Sequence, residues 1–190
     1  MAFLEGKNPD YPTTALRADL QHVADRIVAA KADPTTPETR LADWPIDINP
    51  ASVKSLVQLM TGGLHIARPP WSSTSPAQGG VPLHCRLRYF DPERRRAGVP
   101  ENVAALVHTL GDRAAEVTLV NLGKVARNVV VQGGAYGEHR IESVEVAGKA
   151  VVVGGAAFTI RLEPGCGTRM TLAMRRYANR PTLAFPWDRA

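Results

Sequence analysis

The stretch VVVQGGAYGEHRI, from Val129 to Ile141, gathers the side chains best equipped for chemistry: the phenol of Tyr136, the carboxylate of Glu138 and the imidazole of His139. A tyrosine ring beside a carboxylate and an imidazole on an exposed loop is suited to holding a sugar or another polar ligand. The same residues admit a plainer reading, in which Tyr136 packs over the glycines while Glu138 and Arg140 are solvated charges at a strand edge. Trp71 is a second candidate aromatic for binding, or else a pin that holds its segment against a neighbouring surface. Phosphate binding does not fit. A dinucleotide loop needs Gly-x-Gly-x-x-Gly opening a helix, and a P-loop needs Gly-Lys-Ser/Thr at its end, whereas Gly133, Gly134 and Gly137 match neither spacing. Three glycines between two strand-like runs predict a turn or bulge with positive φ.

Other reaction classes leave weaker traces. Glycoside hydrolysis needs two carboxylates facing each other across a cleft, and Asp43, Asp47, Asp91, Glu93 and Glu138 are candidates with no distinguishing spacing. The Gly-x-Ser-x-Gly elbow of a serine hydrolase is absent from the sequence. His22, His65, His84 and His108 are dispersed, and Cys85 and Cys166 lack the short paired spacing of a zinc site. The cysteines read as plain thiols, with pairing between them left open. The sequence therefore assigns no catalytic residue, no metal ligand and no cofactor. Tyr136, Glu138, His139 and Trp71 stand as ligand-binding candidates.

These residues sit in a chain of 190 residues, 44% hydrophobic and 22% charged, a composition that suits a folded domain with its own core. The net charge of +5 comes mainly from arginine, with 18 Arg against 5 Lys. Apart from Arg94-Arg95-Arg96 and the group from Arg175 to Arg180 the arginines are scattered, and no aromatic-interleaved signature accompanies them. No specific nucleic-acid partner is expected. No apolar run approaches the roughly 20 residues that cross a bilayer, and MAFLEGKNPDYP lacks the pattern of a secretory signal. The expected location is cytoplasmic, without a membrane partner.

The elements that must position the candidates divide into two unlike halves. In TTALRADLQHVADRIVAAKA, Leu16, Leu20, Val23 and Ile27 fall on one helical face, and Pro34 and Pro37 follow the stop. INPASVKSLVQLMTGG predicts a second helix, with Asn49 capping, Pro50 in the first turn, Val53, Leu56, Val57 and Met60 as its stripe and Gly62 at its end. Trp44 and Ile46 mark an ordered connection between the two. Residues 64–80 have the composition of a linker, so the organisation reads as a helical segment over 1–63, a linker over 64–80 and a β domain over 81–190. The β domain offers seven short runs: Leu83–Phe90, Glu116–Leu122, Val125–Gln132, His139–Val146, Lys149–Val153, Ala156–Glu163 and Thr168–Tyr177. Ala147-Gly148 is a hairpin candidate. Between the first two runs PENVAALVHTLGD places Val103, Leu106, Val107 and Leu110 at helical spacing, which predicts one inserted helix over Pro100–Asp112. The fold class is then α+β: an N-terminal helical segment, then an antiparallel β-sandwich with one inserted helix. Tyr177, Leu183, Phe185 and Trp187 form an aromatic-rich tail that should dock, on the helical half or on a partner.

A helical segment followed by VTLVN and VVVQGG strands and by the Leu162-Glu163-Pro164-Gly165 turn resembles the C-terminal end of bacterial six-hairpin (helical toroid) glycosidase-like proteins. The resemblance covers roughly Val81 to Trp187. It implies a β-sandwich following a barrel of paired helices, with the active site in the barrel, and it transfers no catalytic residue to this chain. The expected role is a non-catalytic structural or interaction domain, the C-terminal portion of a larger glycosidase-like protein. Its partner would be a helical domain or protein packing on the N-terminal helices and the aromatic tail. A carbohydrate-binding module, or a carbohydrate-active enzyme with a site at the helix–sheet seam, are the alternative expectations.

Overall fold

The structure is a computed structural model and describes residues 2–40, 50, 54–63 and 85–189. The candidates Trp71, Asp43, Asp47, His65 and His84, the packing residues Trp44 and Ile46, the cap Asn49, Val53 and the linker over 64–80 lie outside the described residues.

Helix α1 spans Tyr11–Ala32 and α2 spans Lys54–Thr61. Pro12 sits in the first turn of α1, where its missing amide costs nothing, and Gly62 closes α2 at φ +62°. The first exposed amides of α2 have a partner in α1, since the Ser55 N–H donates to Asp19 Oδ2 at 3.0 Å. Nine strands follow: β1 (Leu87–Asp91), β2 (Arg96–Ala97), β3 (Val103–Leu110), β4 (Ala114–Asn121), β5 (Arg127–Gly133), β6 (Arg140–Val146), β7 (Lys149–Gly155), β8 (Ala157–Leu162) and β9 (Gly167–Arg175). They form a four-stranded sheet in the order β2-β1-β5-β8 and a five-stranded sheet in the order β3-β4-β9-β6-β7, every pairing antiparallel. The α+β sandwich class expected from the sequence is the observed one.

One predicted element is corrected. Pro100–Asp112 holds no helix; its centre is β3, paired with β4 from Val103↔Asn121 to Leu110↔Ala115. The misreading has a mechanical cause. Val103, Ala105 and Val107 alternate toward the core as a strand requires, but the register shifts between Val107 and Thr109, so the next residue opposite buried Ala115 is Leu110. A one-residue bulge thus turns a period-two pattern into spacings of three and four. Pro100 and Gly111 belong to turns: the Val103 N–H donates to Pro100 O, and the Gly111 N–H donates to Ala114 O across the β3–β4 connection.

The core lies between the sheets, with Leu87, Tyr89, Val129 and Val131 of the smaller sheet facing Val107, Val117, Leu119, Ile141, Leu172 and Met174 of the larger. Phe3, Leu4 and Leu59 join the same cluster, so the N-terminal elements close one end of the sandwich. The buried Tyr89 hydroxyl donates to the Met60 carbonyl at the end of α2 at 2.8 Å. The β6–β7 hairpin turns through Ala147 (φ +49°) and Gly148 (φ +77°), the two left-handed residues of a tight two-residue loop.

At the end of β4, fully buried Asn121 holds three chain segments together: its Nδ2 faces the carbonyls of Val125, Leu162 and Glu163, and its Oδ1 accepts from the Gly123 N–H at 2.9 Å. Replacing it by leucine keeps the volume and strands these groups in the interior. Asn121→Leu is expected to cost about 2–4 kcal/mol, read as a lower urea midpoint at unchanged slope.

Candidate functional site

The loop from Gly134 to His139 links β5 of the smaller sheet to β6 of the larger and so crosses between layers. Gly134 (φ +82°) and Gly137 (φ +73°) take the left-handed conformation expected of a glycine turn. Both are also sites of close approach. A Cβ on Gly134 would collide with the Glu138 carboxylate, one on Gly137 with the Arg189 guanidinium, and one on Gly133 would lie 2.6 Å from the His139 carbonyl oxygen. The loop is therefore folded back on itself, with a carboxylate lying against the backbone of Gly134.

That geometry places the candidates. Glu138 and His139 are 3% and 2% exposed, so Glu138 is not the solvated strand-edge charge of the plainer sequence reading. Glu138 Oε2 accepts from the Tyr136 N–H at 2.8 Å. Glu138 Oε1 is buried without a hydrogen-bond partner and lies 3.9 Å from His139 Nε2. His139 Nδ1 accepts from the Tyr177 N–H at 3.1 Å, which puts the proton of the neutral ring on Nε2, facing the carboxylate. The Tyr177 ring meets the imidazole edge-on at 4.8 Å between centroids. Burial is the main influence on His139 and holds its pKa below the ordinary histidine value, against the pull of Glu138; Arg86 and Arg176 add to the lowering. Nearby Cys85 is pushed up to about 11, first by burial and then by the Glu138 carboxylate, so its thiol stays protonated and is a poor nucleophile at neutral pH.

What the loop binds is the chain's own C-terminus. The Asn179 N–H donates to Glu138 O, Asn179 Nδ2 to Gly137 O at 3.0 Å, and the Thr182 N–H to Tyr136 O. Arg189 Nη2 donates to Gln132 Oε1 at 2.6 Å, and Gln132 Nε2 in turn donates to the carbonyls of Gly134 and Ala135. Arg88 Nη1 donates to Ala135 O at 2.8 Å. Further along, Phe185 and Trp187 stack at 5.0 Å and both meet Phe90 of β1 edge-on, with the Arg95 guanidinium over the indole. The tail expected to dock on the helical half or a partner docks instead on the outer face of its own four-stranded sheet. The two faces and edge of the Trp187 indole are thus met by Phe185, Phe90 and Arg95.

The remaining candidates do not converge. Asp91 ends β1, four residues along the strand from Leu87 and so roughly 13 Å from the Gly133 end of the sheet, where it accepts from the Arg94 N–H and lies 3.5 Å from Arg96. Glu93 pairs with Arg127 on the surface at 3.3 Å. His108 sits at the β3 bulge, its Nε2 2.8 Å from Thr118 Oγ1, and His22 is exposed on α1. The arginine run at 94–96 is matched by carboxylates, with Arg94 on Glu101 and Arg95 on Asp188. Among the described residues no group of three or more His, Cys, Asp or Glu could hold a metal ion, and Cys85 and Cys166 are not joined. No described helix is long and apolar enough to cross a membrane.

Sequence reasoning missed Gln132, Asn179, Thr182 and Arg189, the groups that fasten loop to tail. Their signal was indirect, in the aromatic content of the tail, because the contacts span some 40 to 57 positions of sequence.

No family model matches the chain, and no curated protein sequence matches it. Among solved structures, it is similar over 40% of its length, at 17% identity and a TM-score of 0.33, to a Bacillus halodurans C-125 protein described as an alpha-N-acetylgalactosaminidase. The match spans 19% of that protein's length.

Two predictions follow from the loop. Gly134→Ala forces a left-handed backbone and a clash with Glu138 together, and is expected to destabilise by at least about 1–3 kcal/mol, measured as a lower thermal midpoint. His139 gives a pH signature. Its folded pKa lies below its unfolded one, so its contribution is complete above the unfolded value of about 6.5 and is lost as pH falls through that value toward the folded one. Asparagine can offer an acceptor near the Nδ1 position without titrating. His139→Asn should therefore flatten the slope of stability against pH below neutrality, leaving the share due to His108, also held low by burial.

Proposed function

We propose that this chain is a non-catalytic structural and interaction domain that offers its N-terminal helices to a partner. The observation that carries the reading is a contrast in burial. Glu138 and His139 are buried and bonded to the chain's own tail, whereas α1 has no buried residue and leaves Leu20 69% and Val28 67% exposed. An enzyme needs the opposite, reactive groups lining a cleft that substrate can enter.

The α1 face is incomplete as an amphipathic surface. Leu16 and Tyr11 pack against the core, but Leu20 and Ile27, on the same helical stripe, do not. Leu56 and Val57 of neighbouring α2 are exposed as well. A second layer of helix laid along α1 would bury all of them, since helices of this length gain most of their stability from packing an apolar face. A barrel of paired helices, the setting implied by the sequence resemblance to glycosidase-like proteins, is the partner of that shape.

The test uses the whole purified chain. No hydrolysis of a panel of nitrophenyl glycosides above buffer is expected, together with an apolar-dye signal that falls at least about twofold in the Leu20→Ser/Val28→Ser variant at unchanged thermal midpoint. Saturable turnover that disappears in Glu138→Gln, or a wild-type chain that takes up no dye, overturns the reading.

A further inference from the structure

We infer that the end of the sandwich where the β3–β4 turn meets the end of β9 is a binding site for a tetrahedral oxyanion, the phosphate or sulfate group of a small ester. The two arginine runs of the sequence differ in how they are neutralised. Arg94, Arg95 and Arg96 each have a carboxylate within 4 Å, on Glu101, Asp188 and Asp91. The run at Arg175-Arg176 is left short. Arg175 lies 3.4 Å from Glu142, but among the described residues Arg176 has no carboxylate within 4 Å, and neither have Arg113 and Arg86.

These side chains gather at one groove. A cavity of about 410 Å³ is lined by Asp112, Arg113, Glu142, Met174, Arg175 and Arg176, a size that suits a small ligand. Backbone contacts bring the lining together: the Met174 N–H donates to Arg113 O at 2.7 Å, which sets the turn before β4 beside the end of β9. Glu142 is the residue left over where the β6–β9 register shifts between Ile141 and Ser143. Arg86 stands next to the groove, 9% exposed, its Nη1 donating at 3.0 Å to the carbonyl of Gly111, the residue before Asp112. A buried guanidinium held by a carbonyl rather than a carboxylate keeps its charge uncompensated. Burial, and then Arg176, hold the Arg86 pKa below the ordinary arginine value, with Tyr177 and Asp112 too weak to offset them. The site is short of negative charge.

The balance of charge and its directions select the ligand. The guanidinium groups of Arg86, Arg113, Arg175 and Arg176 outnumber the carboxylates of Asp112 and Glu142, an excess that a dianion fills. Arg140 stands opposite Arg175 in the β6–β9 register, so a like charge sits where paired strands favour an unlike one, and its guanidinium lies toward Gly154 of β7. The four guanidiniums come from three places in the chain: before β1, before β4 and at the end of β9. A planar carboxylate matches one such fork, whereas a tetrahedral group turns oxygens to several at once. The Arg176 guanidinium rests over the Tyr177 ring at 5.4 Å, a contact that steadies an exposed side chain beside the groove. Met174 is the one apolar lining residue, so recognition falls on the anionic group and not on what it is esterified to. Glu142 stands in for that group at Arg175 until the ligand's oxygens replace it.

The experiment is isothermal titration calorimetry on the full chain at constant ionic strength, with inorganic phosphate, phenyl phosphate, phenyl sulfate and benzoate as titrants. One saturable site is expected, with a Kd for phenyl phosphate or phenyl sulfate below about 1 mM and benzoate at least about tenfold weaker; the tighter of the two esters names the source of the oxyanion. Arg113→Gln/Arg176→Gln should weaken binding at least about tenfold, while Arg94→Gln/Arg161→Gln, which removes the same charge elsewhere on the surface, leaves it intact. Glu142→Gln should tighten binding about threefold by freeing Arg175, a gain that no unfolded variant would produce. The inference is overturned by the absence of saturable binding up to about 10 mM, by benzoate binding as tightly as the esters, by equal losses in the two double variants, or by weaker binding in Glu142→Gln.

Discussion

The structure depends on a carboxylate packed against bare backbone. Glu138 lies where the Cβ of any residue other than glycine at 134 would stand, and it bonds back to the Tyr136 amide. This contact folds the Gly134–His139 loop into a compact block whose outward-facing groups are the carbonyls of Tyr136, Gly137 and Glu138. All three accept from the C-terminal tail. With the tail held there, Phe185 and Trp187 reach Phe90, and Arg189 reaches Gln132. Glu138 is thus wedged between the Gly134 backbone and the Tyr136 amide. Its unpartnered Oε1 next to His139 is an interior cost that the surrounding bonds over-determine.

The docked tail also explains why the two sheets look different in sequence. β4 and β9 belong to a sheet whose outer face meets water, so buried and accessible positions alternate along them. β5 is covered on both sides, by the core at Val129 and Val131 and by the tail at Gln132, and its last five residues are all buried. A strand sandwiched on both faces loses the alternation and reads as a continuous run. VVVQGG therefore records the tail's presence more than 40 positions before the tail is reached.

That asymmetry sets how far the sequence was legible. Helices α1 and α2 announced themselves through prolines near their ends and apolar residues three and four apart, and seven strands through alternation or short apolar runs between Gly and Asn turns; local chemistry was sufficient for each. The Ala147-Gly148 hairpin was equally local. β3 was misread because its bulge at His108 reset the period, and a bulge is visible only once the partner strand is known. The burial of Glu138 and His139 was illegible for a related reason. In the sequence they are polar residues after a glycine turn, and only the return of Tyr177 and Asn179 converts that turn into an interior. Asp91 and Glu93, which no spacing distinguished in the sequence, pair with Arg96 and Arg127 away from the loop.

The arrangement of polarity bears on function more directly than any motif does. The path from Glu138 and His139 outward runs through Tyr177 and Asn179 of the tail, and the thiol of Cys85 is held in its protonated form. Meanwhile the chain leaves leucine and valine in water along α1 and along β7. Isolated apolar residues on a surface need no explanation, but a row of them along one helix face does. A helix face of this kind receives side chains from another helix at about 8–10 Å between axes, a contact that leaves buried Glu138 and His139 untouched.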